Sequence, residues 1–102
     1  MRPGYQLTET AEAELAEILR YVADRDGVDR ALYVHDRFVR AFELLTAQPG
    51  SGTTRPDLTG GHVRWWFVFK WVVIYDPERS PISILRVIHG ARDLERLLRT
   101  DH

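Results

Sequence analysis

The sequence has no cysteine and a single methionine among its 102 residues. Disulfides and thiolate metal sites are thereby excluded, and packing and hydrogen bonds must hold the fold. A reducing compartment is the simplest home, and a soluble cytoplasmic protein is expected. No basic segment followed by an apolar stretch stands at the N-terminus, so no secretory signal is expected. The longest apolar run, Val63 to Tyr75, is interrupted by Arg64 and Lys70 and falls short of the roughly 20 residues that span a bilayer. Gly50, Gly52, Gly60 and Gly61 do not lead into a Lys-Ser/Thr pair, so no phosphate-binding loop is indicated. His35, His62, His89 and His102 never fall at ligand spacing on one element, and neither metal nor cofactor is expected.

Lysine is nearly missing too. Lys70 is the only one, and every other basic residue is arginine, which favours planar, bidentate contacts. The formal net charge of −1 hides an asymmetry. Residues 1–54 carry 6 basic and 9 acidic side chains, whereas residues 55–102 carry 8 basic and 6 acidic. That modest bias in the second half suits an acidic partner but is too small for a nucleic-acid footprint, and direct nucleic-acid binding is not expected.

What is present is one domain's worth of alternating patterns, over residues 1–102. Tyr5-Gln6-Leu7 reads as a short strand. Thr8 can cap a helix with Glu9 and Glu12 in its first turn, and Ala11, Leu15, Ile18, Leu19 and Val22 recur at helical spacing to about Arg25. Glu14, Glu17 and Arg20 are placed on the face pointing away. Gly27 breaks this helix. A second starts near Asp29, with Ala31, Val34, Phe38, Ala41, Phe42 and Leu45 as its stripe, and Pro49-Gly50 ends it. Residues 49–62 read as an ordered loop in which Arg55 and Asp57 form a fixing ion pair.

Val63 to Tyr75 is too long for one strand, so a hairpin is expected with its turn near Val68-Phe69-Lys70. A second turn, Asp76 to Pro81, leads into strand 82–88. Residues 93–98 give a short final helix, with Asp93 as its cap. The expected fold is α+β: a helical hairpin packed on one face of a small antiparallel sheet, in the order β-α-α-β-β-β with a short C-terminal helix. The other face of the sheet is left only partly covered. Trp65, Trp66, Phe67, Phe69 and Trp71 alternate between faces, so some of these rings enter the core while others are available to a partner.

The strand that ends in His89-Gly90-Ala91-Arg92-Asp93 delivers polar groups to the rim of a rigid sheet. Around it, Tyr5-x-Leu7-Thr8-x-x-Ala11, Leu15, Ile18 and Tyr21 lead on to Gly27 and Ala31. Pro49-x-x-Gly52-x-x-Arg55-x-Asp57-Leu58 follows, then Arg64, Ile74-Tyr75, Ile84-x-x-Val87-Ile88-His89 and Leu97-Leu98. In order and spacing this resembles the RelE/ParE superfamily of bacterial type II toxins, specifically its ParE branch. Where relatives commonly carry a glycine near the hairpin turn, this chain has Phe69.

The resemblance implies a growth-inhibiting toxin, of the kind tied to plasmid stabilisation, held inactive by a cognate ParD-like ribbon-helix-helix antitoxin. It also implies DNA gyrase as a target, reached by protein–protein binding. Arg55, Trp65, Arg86, His89 and Arg92 are the candidate target contacts; Leu15, Leu19, Phe38, Phe42 and Trp71 are the candidate antitoxin contacts. RelE-type relatives are instead ribosome-dependent mRNA endoribonucleases. On that alternative Arg64, Arg86 and His89 would be catalytic, although no carboxylate or tyrosine is evidently placed beside them. An inactive member that only binds its antitoxin is a further alternative.

Overall fold

Thr8 starts the helical layer. In the computed structural model, which describes residues 4–56, 61–93 and 96, its hydroxyl accepts the Ala11 N–H at 3.1 Å. This satisfies one orphan N–H at the start of α1 (Glu9–Asp26), where Glu9 and Glu12 also sit at the positive end of the dipole. Gly27 follows with a φ of 97°, a backbone state costly for any residue with a Cβ, and its N–H bonds the Ala23 carbonyl. Helix α2 (Val28–Ala47) begins immediately and folds back on α1. Both helices bury the stripes that their spacing specifies: Ala11, Leu15 and Val22 on α1, and Ala31, Val34, Phe38, Ala41, Phe42 and Leu45 on α2.

The stripes face a five-stranded sheet of β1 (Tyr5–Leu7), β2 (Thr53–Thr54), β3 (Arg64–Val68), β4 (Trp71–Asp76) and β5 (Ile82–His89), in the order β1-β5-β4-β3-β2. Two features depart from expectation. The sheet is mixed, because β1 pairs parallel with β5 (Tyr5 with Ile82, Leu7 with Ile84). The meander β3-β4-β5 leaves one edge of β5 free, and the helical hairpin supplies the long crossover that a parallel pairing there needs. The second is β2, two threonines inside the stretch read as loop, which pair with Arg64 and Trp65.

The β3–β4 turn is Phe69-Lys70, between paired Val68 and Trp71. Phe69 adopts a φ of 54°, the left-handed region that glycine occupies at little cost. This is the physical reason a glycine suits that turn, and Phe69 takes the conformation without one.

The main core lies between helices and sheet. Phe38 (0% exposed) and Phe42 (1%) meet Trp71 and Tyr5, with ring centroids 5.9 and 5.2 Å apart respectively. Each such ring contributes about 1.5–3 kcal/mol by leaving water. The reverse face of the sheet is not the sparsely covered platform the sequence suggested. Val63, Trp65, Val72, Ile74 and Ile88 form a second cluster there, each no more than 6% exposed. Residues 90–93 and Arg96 are helical; the rest of the expected C-terminal helix and Asp57 lie outside the described residues.

Candidate functional site

Three polar assemblies decorate this frame. The first fixes the loop after α2. Tyr75 is fully buried, and its hydroxyl accepts the Gly52 N–H at 2.9 Å while donating to the Pro49 carbonyl at 2.7 Å. A Cβ on Gly52 would come within 2.6 Å of that hydroxyl and 2.7 Å of the Trp65 carbonyl, so only glycine fits. Arg64 Nη1 donates to the carbonyls of Gly50 at 3.2 Å and Gly52 at 2.6 Å. Burial pushes the Tyr75 phenol up, against the opposing pull of the Gly52 bond and the Arg64 charge, so it stays protonated as the donor to Pro49.

The second assembly closes the edge of β5 beyond the end of β1. A bulge there leaves Leu85 unpaired: Tyr75 pairs with Ile84, whereas Ile74 pairs with Arg86. Bulges re-aim side chains, and here Arg86 meets Glu14 of α1 in a bidentate pair, Nη2 to Oε2 at 2.7 Å and Nε to Oε2 at 3.0 Å. The same carboxylate accepts the Val87 N–H at 3.0 Å, and Thr8 binds the Ile84 and Leu85 carbonyls. Glu14 therefore does not point away from the core; it substitutes for the missing strand. Its hydrogen bond raises the Arg86 guanidinium pKa, against the lowering effect of burial.

The third is the turn out of β5. The Asp93 carboxylate accepts the His89 N–H at 2.9 Å, while His89 Nδ1 accepts the Arg92 N–H at 3.1 Å. This is a reciprocal cap, so His89 rather than Asp93 caps the final helix. Burial alone would raise the Asp93 carboxyl, but bonds from Arg92 and the His89 N–H outweigh it and hold the pKa below the ordinary range. Gly90 packs its backbone onto the hairpin turn, its N–H 2.8 Å from the Lys70 carbonyl. Between α1 and this turn lies a cleft of about 310 Å³, lined by Glu17, Tyr21, Lys70, His89 and Arg92 among others.

A further exposed apolar surface lies between α2 and the turn of the β3–β4 hairpin. Phe69 is 49% exposed and Tyr33 47%, whereas Phe67, 60% exposed, lies on the reverse face of the sheet near Gly90. Tyr33 and Phe69 lie 6.1 Å apart, and the Arg30 guanidinium sits over both rings. A groove of about 410 Å³ runs beside them, walled by Arg37, Arg40, Leu44, Trp66 and Phe67. Among the described residues, β2 covers β3 only at Arg64 and Trp65, so the outer edge of Trp66–Val68 has no strand neighbour.

The family model for the ParE toxin of the type II toxin-antitoxin system parDE matches residues 5–94. The chain belongs to the ParE toxin family. No curated protein sequence matches it. Among solved structures, a chain of the chromosomal ParDE TA system from P. aeruginosa superposes with a TM-score of 0.71 at 22% identity, covering 83% of this chain and 92% of that one. That second likeness is one of fold. Among the described residues no helix of this ParE-family chain is long and apolar enough to cross a membrane.

The residues expected at the site fall in different places. Leu15, Phe38 and Phe42 lie in the main core at 9% exposure or less and Leu19 is half-buried, whereas Trp71, 7% exposed, also lines the cleft beside Lys70. Helical spacing marks an apolar stripe but not what covers it, and the chain's own sheet does. Trp65 is 3% exposed in the reverse-face cluster, with the Arg55 guanidinium 5.3 Å over its ring. Carboxylates do stand beside the arginine and histidine of β5, Glu14 at Arg86 and Asp93 at His89, yet each is spent on a backbone N–H. What sequence missed was the patch of Arg30, Tyr33, Arg37 and Leu44. Their only signal was an arginine or apolar side chain on the outward face of α2.

Proposed function

We propose that this ParE-family toxin acts by protein–protein contact, with DNA gyrase as its target and the tail of a ParD-like antitoxin as its neutraliser. The observation that carries this reading is Phe69. A half-exposed aromatic side chain is held at a φ of 54°, at a cost of about 1 kcal/mol or more. A glycine would avoid that cost, and the side chain fills no core. Its value is therefore at the surface, beside Tyr33 and Arg30, residue types enriched in binding hot spots.

The groove between α2 and β3 suits an extended, acidic and apolar antitoxin segment. The free edge of Trp66–Val68 offers backbone pairing, Leu44 and Trp66 offer apolar contact, and Arg37 offers charge, while Arg40 is paired with Asp36 at 2.8 Å. The cleft carrying Lys70, His89 and Arg92 remains for the target. Catalysis is disfavoured because Arg64 is engaged by two loop carbonyls and Arg86 by Glu14, while His89 caps a helix. The purified chain is expected to inhibit gyrase supercoiling of plasmid DNA and to leave ribosome-bound mRNA intact, with Arg92→Ala weakening inhibition. Codon-specific mRNA cleavage abolished by His89→Gln would reverse this assignment.

A further inference from the structure

Around the end of β4 the fold gathers donors that are far apart in sequence. The β3–β4 register pairs Arg64 with Tyr75, so one step further out Val63 falls opposite Asp76, and the neighbouring His62 reaches the Asp76 carboxylate. His62 Nε2 stands 3.5 Å from Asp76 Oδ2, and Glu78 joins them from the following turn, with one ligand atom of each residue within 4.8 Å of the others. The Asp76 side chain is only 13% exposed. Its Oδ1 accepts the Glu78 N–H at 3.0 Å. Its Oδ2, among the described residues, faces only His62 and the Arg79 Nε, the latter at 3.7 Å, both beyond a good hydrogen bond.

We propose that His62, Asp76 and Glu78 bind a divalent zinc ion. One imidazole nitrogen and two carboxylate oxygens form a mixed donor set, which suits a borderline cation rather than calcium or magnesium. Ligands at about 2.0–2.2 Å from zinc in a tetrahedron lie about 3.3–3.5 Å from one another. The His62–Asp76 separation already meets that spacing, and Glu78, on an exposed turn, closes the remainder by rotating its side chain. Arg79 is the competitor: it neutralises Asp76 without metal and must swing away when the ion arrives. Bound zinc would tie the segment before β3 to the β4–β5 turn. Spacing along the sequence indicated no metal because no two of these residues share an element.

The test is calorimetric titration of the untagged chain with zinc chloride, with circular dichroism to show that each variant is folded. One ion per chain is expected. Affinity should fall at least tenfold in His62→Ala, hold in His35→Ala, and rise several-fold in Arg79→Ala, because only a site at Asp76 is relieved by losing that guanidinium. His62 is an exposed loop residue, so its variant tests the site even if Asp76→Asn fails to fold. No saturable binding by the parent chain, binding that survives His62→Ala, or preference for calcium would each overturn the proposal.

Discussion

Replacing Tyr75 by phenylalanine isolates the device that holds the loop after α2. The ring stays in a fully buried site and only the hydroxyl is lost, with its bonds to the Gly52 N–H and the Pro49 carbonyl. Two intramolecular hydrogen bonds are worth about 0.5–1.5 kcal/mol each, and an unmatched buried donor costs about 1–3 kcal/mol. The Pro49 carbonyl is partly accessible and can take a water, whereas the Gly52 N–H is buried and cannot. The expected loss is therefore about 2–4 kcal/mol, read as a lower urea midpoint at unchanged m-value. Melting should drop by on the order of 10–20 °C for a domain of this size. Arg64→Met frees the same loop from the other side, so the double variant should lose less than the two single losses combined. A Tyr75→Phe loss below about 0.5 kcal/mol, or strict additivity with Arg64→Met, would refute a shared anchor.

Other substitutions probe the remaining assemblies. Glu14→Ala should cost about 1–3 kcal/mol in urea denaturation by stranding the Val87 N–H, and Glu14→Gln clearly less because an acceptor remains. Phe69→Gly should leave stability level or raise it by about 1 kcal/mol through relief of its left-handed backbone, while weakening antitoxin binding at least tenfold by calorimetry. Asp93 has a folded-state pKa below its unfolded value of about 4. Its contribution to stability is thus complete above about pH 4 and is lost as pH falls through the folded value. Between pH 6 and pH 3 the parent chain should lose more stability than Asp93→Asn, by chemical denaturation at each pH.

The local elements were legible because their causes are local. Thr8 caps α1, Gly27 separates the helices, and the hairpin turns at Phe69-Lys70, all from patterns within a few residues. The contacts that decide the candidate sites are not local. Glu14 meets Arg86 across 72 positions, and periodicity alone put it on the solvent face. Pro49, Gly52, Arg64 and Tyr75 stood out as a pattern, but only the fold explains it: two side chains fasten one loop and the glycine makes room. Apolar stripes gave the core correctly, but spacing along a helix does not say whether its own sheet or a partner covers a stripe.

Hydrogen–deuterium exchange of the toxin, alone and with its antitoxin, tests the central claim most directly. The outward backbone amides of Trp66–Val68 should exchange quickly in the free chain and become strongly protected in the complex, with changes extending along α2 from Arg30 to Leu44. Protection confined to the cleft around His89 and Arg92, with Trp66–Val68 unchanged, would contradict it.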